Sequence, residues 1–385
     1  MEVGTRAPGK IILAGEHAVV HGSTAIAASI DLYTYVHLRI STPSDDADGL
    51  LEFQLKDIGL VFSWPVQRIK EIAAESGFPV SPFTTSSSSE SVKQFAILVE
   101  EQNIPEAKIG LAAGVYAFLW LYASILGFKP VTVIVTSDLP LGSGLGSSAS
   151  FCVSISAALL ACSGAISVAF SQNGWLTPGE SDLELVNRWA FEGEKIIHGK
   201  PSGIDNSVST FEFYVTGNMI MFRLGKMKHI KPGTTLRMLI TNTKVGRNTK
   251  ALVAGVSERA CRHPDAMTAV FTAIDSISKE LAGIIESPAS DELSITAKED
   301  KLEELMEMNQ GLLQCMGVSH ASIETVLQTT LKFKLASKLT GAGGGGLLSG
   351  TVVDKVIAEL ELCGFQCLIA AIGGTGVQIE FCGHK

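Results

Sequence analysis

Positive charge is the first thing this chain is short of. Of 385 residues, 30 are Lys or Arg against 39 Asp or Glu, a formal net charge of −9, and charged residues of both signs make up only 18%. Nucleic-acid binders carry a basic patch or stripe, so this balance argues against that class, although a small anion needs only a local basic site. The chain also has no CxxC. Its seven cysteines include one CxxxC, Cys363 and Cys367, with no His at ligand spacing beside it. A zinc ribbon and a disulfide scaffold are therefore set aside, and the thiols are read as reduced and structural, in a cytoplasmic protein. The opening MEVGTRAPGKIIL lacks a secretory apolar core with a small-residue cleavage site, and the closing GHK is neither a retention nor a peroxisomal tag.

Glycine and apolar residues are not scarce. Ordinary usage would give about 27 glycines in this length, and the chain has 38. Two uncharged runs, 109–128 and 139–179, are long enough to cross a bilayer. The second opens on a Gly/Ser loop and contains Ser, Asn and Pro, and neither has a convincing Lys/Arg flank of the positive-inside kind. Both are read as buried helices of a large domain, which are apolar all round for the same reason. No membrane and no nucleic acid are expected as partners.

The length suits two domains. Residues 10–15 and 30–40 read as strands, 65–76 and 91–102 as helices, with Ser87-x-x-Glu90 a capping-box signature before the second. The polar tract 79–90 is a surface loop or lid. A helix from about Ile109, a strand at 131–136, a glycine loop and a helix from about Ser147 follow. Ser181-x-x-Glu184 is expected to cap a helix that runs to about His198 and ends at Gly199. A strand from Leu236 leads into helical patterns at 249–286 and 299–316, then a second glycine tract at 341–346. The break at 225–233 divides the chain into 1–229 and 230–385.

Three familiar patterns fail on inspection. Gly4-x4-Gly9-Lys10 spells most of a Walker A loop, but Ile11 stands where Ser or Thr must hold Mg²⁺, and a strand follows. His17-x3-His21 has Ala18 at the base position of a zinc helix and no third ligand nearby. Gly142-x-Gly144 continues as Gly146-Ser147, without the dinucleotide spacing or its acidic ribose partner.

The strongest feature is Pro140-Leu-Gly-Ser-Gly-Leu-Gly-Ser-Ser-Ala149, between a strand and a helix of small residues. Alternating Gly142, Gly144 and Gly146 let successive N–H groups wrap an anion, and the helix N-terminus aims at the same place. Ser147 and Ser148 add hydroxyls, one of which can ligate the Mg²⁺ of a nucleoside triphosphate. A tight strand-to-helix turn is the bland alternative. Glu194 lies near a helix C-terminus, where negative charge is disfavoured, so either a metal or a salt bridge to Lys195 or Arg188 is expected beside it. Asp205 follows a Pro/Gly turn and suits accepting a proton from a hydroxyl, or capping a turn. The tract Gly341-Ala-Gly-Gly-Gly-Gly346 is expected to let backbone approach a ligand, a linker being the alternative.

Three segments in order, Pro8 to His17, Pro140 to Ala149 and Lys338 to Gly346, resemble the motifs of the galactokinase, homoserine kinase, mevalonate kinase and phosphomevalonate kinase (GHMP) superfamily. Within it, Glu194-Lys-Ile-Ile-His-Gly-Lys-Pro-Ser-Gly-Ile-Asp205 and Thr241-Asn-Thr-Lys-Val-Gly-Arg247 are similar to mevalonate kinase segments of plant type. The resemblance implies an α+β fold of two domains, the first with a left-handed βαβ crossover and the second ferredoxin-like, and an active site in the cleft. It implies ATP-dependent phosphorylation of mevalonate at its primary hydroxyl. Carried over by position, Gly142, Ser143, Gly144, Leu145, Gly146, Ser147 and Ser148 cradle the triphosphate, with Asp57 and Ser137 as further nucleotide contacts. Ser148 and Glu194 hold Mg²⁺, Asp205 is the base, and Lys10 touches both Asp205 and the γ-phosphate. His17, Glu16, Thr243 and Arg247 fall at substrate positions. With Lys10 beside Asp205, orienting the hydroxyl and accepting its proton late matter more than strong basicity. A homodimer and feedback inhibition by prenyl diphosphates are implied by the family alone.

Two departures stand out. Residues 211–217 intervene where the family runs through glycines, and after Gly346 the expected strand is reduced to Leu347-Leu348. A sheet lacking most of one strand would expose an edge. A ligand sensor that kept the fold, or a kinase for another small alcohol, are the alternative functions.

Overall fold

The computed structural model describes residues 1–40, 49–75, 78, 80–83, 87, 92–167, 174–211, 218–234, 236–246, 249–340, 343–347 and 353–381. The strands are β1 (Glu2–Ala14), β2 (Ala25–Ile40), β3 (Leu50–Leu55), β4 (Leu60–Pro65), β5 (Val131–Ser137), β6 (Met219–Arg223), β7 (Lys226–Ile230), β8 (Leu236–Asn242), β9 (Ser337–Thr340), β10 (Gly343–Leu347), β11 (Gln366–Ile372) and β12 (Gln378–Phe381). The helices are α1 (Val66–Glu75), α2 (Ala96–Glu100), α3 (Ala112–Ile125), α4 (Ser147–Ser163), α5 (Glu180–His198), α6 (Ile204–Thr210), α7 (Thr249–Arg262), α8 (Pro264–Glu286), α9 (Glu292–Met316), α10 (Ala321–Leu331) and α11 (Val353–Leu362).

Apart from the parallel neighbours β3 and β5, which a crossover through β4 and the first helices connects, the strand pairs are antiparallel. The long β2 pairs with β1 along one edge and with β6, β11 and β5 in turn along the other. Beyond β2 the order is β11, β8, β10, β9. Numbered within their own half, those strands lie 4-1-3-2, the split βαβ arrangement of a ferredoxin-like unit. The chain then returns, and β12 pairs with β1.

The apolar runs are core. Ten of the fourteen α3 residues are buried, packed with α4, α5 and one face of the sheet around Phe53, Phe118, Trp120 and Trp189. One stretch, Lys108–Ile125, is long and apolar enough to cross a membrane by composition, and burial inside this core accounts for that apolarity. The helical pattern at 249–286 breaks into α7 and α8 at Pro264, which takes the first position of α8. Gly179, not Ser181, is the N-cap of α5. The box at Ser87 and Glu90 lies partly outside the described residues. Ser87 itself donates through its N–H and its hydroxyl to Glu192 of α5, both at 2.7 Å.

The glycine tract corrects an expectation. Gly343 to Gly346 form a ladder strand, Gly344 facing Thr241 of β8 on one side and Leu339 of β9 on the other. A strand flanked on both edges uses its N–H groups in pairing, so these glycines form no cradle for a ligand. They also supply the strand that the sequence after Gly346 lacks. Gly341 and Ala342 lie outside the described residues, as do 212–217 of the intervening segment.

Gly373, Gly374 and Gly376 carry the chain back from β11 toward β12. A Cβ on Gly376 would stand 2.5 Å from the Thr210 carbonyl oxygen, so only glycine lets this connection touch the end of α6. Val377 N–H then donates to that same carbonyl at 3.1 Å.

The two halves are also joined through a buried ion pair. Lys338 of β9, almost wholly inaccessible, pairs with Glu16 just beyond β1 and donates to the carbonyls of Ile12 and Leu339. Removing one partner of such a pair strands the other charge. Lys338→Met is expected to cost about 3–5 kcal/mol of stability. Glu16→Gln in the same chain should recover part of that loss, as measured by urea denaturation.

Candidate active site

The site begins with the glycine loop. Gly142, Gly144 and Gly146 all have left-handed backbone, with φ of 71°, 75° and 73°, and Gly146 is the N-cap of α4. The first turn of α4 leaves N–H groups with no partner in the helix, directed toward the loop. Lys10 of β1 passes directly beneath. Its N–H donates to the Leu145 carbonyl at 2.8 Å, and a Cβ on Gly146 would lie 2.7 Å from the lysine Cγ. Gly9 is hemmed in similarly, since its Cβ would meet Leu139 Cδ2 at 2.5 Å.

Lys10 Nζ stands 3.2 Å from Asp205 Oδ2. The lysine is buried and the aspartate about one third exposed, so the pair opens toward solvent on the carboxylate side. Asp205 lies in the first turn of α6, entered through Gly203 at φ 81°.

Glu194 lies close enough to this pair to feel the charges of both Asp205 and Lys10. It is 3% exposed, and among the described residues its Oε1 has no hydrogen-bond partner. Burial, then the charge of Asp205, push its carboxyl up to about 7, against the pull of the Ser148 hydroxyl and Lys10. Lys195, the salt-bridge partner considered above, pairs with Glu192 instead at 2.6 Å. Ser148 Oγ is 2.9 Å from His198 Nε2, and that nitrogen is 3.8 Å from Glu194 Oε1. Burial lowers the His198 pKa, with Asp205 acting in the opposite sense. His198 was not picked out from the sequence, although its place four residues after Glu194 sets both on one helix face.

The remaining expected residues divide. Asp57 and Ser137 meet, the Ser137 N–H donating to Asp57 Oδ2 at 2.6 Å. Ser143 turns away from the loop's open side, because both its N–H and its hydroxyl donate to the Pro140 carbonyl. Leu145 points into the core, leaving only its backbone for a ligand. Ser147 is half-buried beside Ser148. Glu16 is held by Lys338 and by Asn309 Nδ2 at 3.5 Å, so its carboxylate is engaged within the protein. His17 adopts φ 60° at the start of the turn that follows. Asp275 of α8 fixes the far end of the turn, accepting from Thr24 N–H at 2.8 Å and from its hydroxyl at 2.6 Å. Thr243 is buried just past β8, and Arg247 lies outside the described residues.

Among the described residues no three His, Cys, Asp or Glu side chains gather as a metal cage. Magnesium bound with a nucleotide needs only one or two protein oxygens, the rest coming from phosphate and water. The orphaned Glu194 Oε1 and the Ser148 hydroxyl meet that requirement. A glycine cradle, a lysine across it, a carboxylate on that lysine and a second buried carboxylate are the parts of a phosphoryl-transfer site.

The chain is similar to known proteins along its length. Residues 113–212 match the GHMP kinases N terminal domain. Mevalonate kinase of Arabidopsis thaliana is 62% identical over 98% of this chain and 100% of its own length. Mevalonate kinase of Homo sapiens is 39% identical over 97% of this chain and 94% of its own. Among solved structures, the Methanococcus jannaschii mevalonate kinase superposes with a TM-score of 0.69 at 19% identity, covering 97% of this chain and 98% of that one. The L. major mevalonate kinase in complex with R-mevalonate gives 0.68 at 21% identity, covering 96% of each. With a full-length relative at that identity and a fold shared along the chain, this protein is a kinase and belongs to the mevalonate kinase family of the GHMP superfamily.

Proposed function

We propose that this cleft transfers the γ-phosphoryl group of ATP to the primary hydroxyl of (R)-mevalonate, giving 5-phosphomevalonate and ADP for isoprenoid and sterol synthesis. The observation that carries the reading is the Lys10–Asp205 pair under the glycine loop. The N–H groups of 144–148 hold the triphosphate, and the Lys10 ammonium faces both the γ-phosphate and Asp205. Asp205 aligns the hydroxyl and takes its proton as the new O–P bond forms and the bond to the β-phosphate oxygen breaks. Ser148 and Glu194 hold Mg²⁺, which neutralises charge on the phosphate oxygens when bound. His17 and Thr243 are assigned to the acceptor and Asp57 with Ser137 to the nucleotide, while Arg247, outside the described residues, is assigned to the acceptor by the family resemblance alone.

Coupled measurement of ADP release with mevalonate, galactose and homoserine tests the assignment. Turnover is expected with mevalonate alone. Tight ATP binding with no turnover of any acceptor would favour a ligand sensor. Cytoplasmic location, a homodimer and inhibition by prenyl diphosphates rest on the family resemblance, and gel filtration and inhibition assays test the last two.

A further inference from the structure

Among the described residues, His198 is a polar side chain at the Ser148–Glu194 pair that the reading above leaves without a task. We infer that it is a positioning residue for the metal. Its Nε2 accepts a hydrogen bond from the Ser148 hydroxyl, so that the Oγ lone pairs face the cation. The inference rests on the assignment of Ser148 and Glu194 as the Mg²⁺ ligands.

A serine that ligates Mg²⁺ keeps its proton, and that proton needs an acceptor outside the coordination shell. Glu194 cannot take it, because in this reading its oxygens face the cation. His198 Nε2, 2.9 Å from Oγ, is the acceptor in place. The helix fixes this arrangement. Glu194 and His198 sit four residues apart near the end of α5, and Gly199 closes the helix with φ 82° immediately after the histidine. Ser148 is presented from the first turn of α4, whose N-cap is the Gly146 that Lys10 crosses. One imidazole thus links the metal ligands contributed by two helices. The orientation requires the tautomer with the proton on Nδ1. An Nε2 that carried the proton would donate to Oγ and take up the lone pair the cation needs.

The test is Mn²⁺ binding in the presence of ADP, followed by the EPR signal of free Mn²⁺. Full-length His198→Leu, His198→Gln, Ser148→Ala, Glu194→Gln and His198→Leu/Ser148→Ala proteins are compared, with thermal unfolding to confirm folding. His198→Leu is expected to weaken Mn²⁺ binding by about ten- to a hundred-fold, the usual cost of losing an outer-shell partner. His198→Gln, whose amide oxygen reaches the Nε2 position, should restore most of it. In the Ser148→Ala background His198→Leu should add nothing, because the hydroxyl it orients is gone. Should His198→Leu bind Mn²⁺ like wild type while Ser148→Ala is weakened, the positioning role is wrong. Additive losses in the double variant, or no recovery by glutamine, would overturn it as well. Unchanged binding in both Ser148→Ala and Glu194→Gln would instead reject the metal assignment on which it rests.

Discussion

Replacing Asp205 with asparagine is expected to lower kcat by about 10²–10⁴-fold while ATP binds almost as before. Asparagine matches aspartate in shape, and its Oδ1 can still accept from Lys10 Nζ, which the carboxylate meets at 3.2 Å. Two things are lost together: an acceptor for the hydroxyl proton, and the negative charge that helps place the lysine. The nucleotide is held by the glycine loop and by the start of α4, so calorimetric binding of ATP should change little. The KM for the acceptor should rise only modestly, because an amide can still hydrogen-bond a hydroxyl. A bare two- or three-fold drop in kcat would show that the proton leaves by another route and that Asp205 is not the base. The same variant separates catalysis from sensing, since a sensor has no turnover to lose.

Much of this site was legible in the sequence because its parts are local. The order strand, glycine loop and small-residue helix fixes where N–H groups point, and the Pro-Ser-Gly-Ile-Asp turn brings Asp205 to the start of α6. What could not be read depends on partners far along the chain. Glycine tells of backbone freedom but not of its use. Gly142, Gly144 and Gly146 turn through left-handed conformations, whereas Gly343 to Gly346 lie in a ladder against Thr241 and its neighbours. Glu16 carried the chemistry of a binding residue, and only the fold brings Lys338 against it from 322 positions away. Ser143 sits in the loop motif, yet a turn back to Pro140 takes its hydroxyl. The need for glycine at Gly376 comes from the end of α6, far away in sequence, against which it packs. His198 was within reach of sequence logic through its spacing from Glu194, but its link to Ser148 joins two helices that no periodicity connects.

Glu194→Gln should remove a pH dependence as well as a metal ligand. In the nucleotide-free protein, burial and the nearby Asp205 hold the Glu194 carboxyl at about 7, against an ordinary value of 4.5. Between those values the folded protein holds a proton that the unfolded chain has released, so stability falls as pH rises from 4.5 to 7 and stays lowered above it. The shift corresponds to a cost on the order of 3 kcal/mol. Cation binding needs the carboxylate and must expel that proton. Apparent affinity for Mg²⁺ with ADP should therefore climb by up to about tenfold per pH unit below 7 and level off above. In Glu194→Gln both slopes flatten. The metal-free variant should unfold at the same or a higher temperature than wild type at pH 8, because no charge is buried. Its apparent Mg²⁺ affinity should drop by at least the ~10–100-fold that an outer-shell partner is worth. Higher metal-free stability combined with weaker metal binding is the signature of a carboxylate kept buried for a cation. Isothermal titration across pH 5.5–8.5, with thermal unfolding in parallel, measures both. A variant that lost stability at pH 8 and kept the wild-type Mg²⁺ dependence would make Glu194 a packing residue, and the search for the metal's second protein oxygen would move to Asp205.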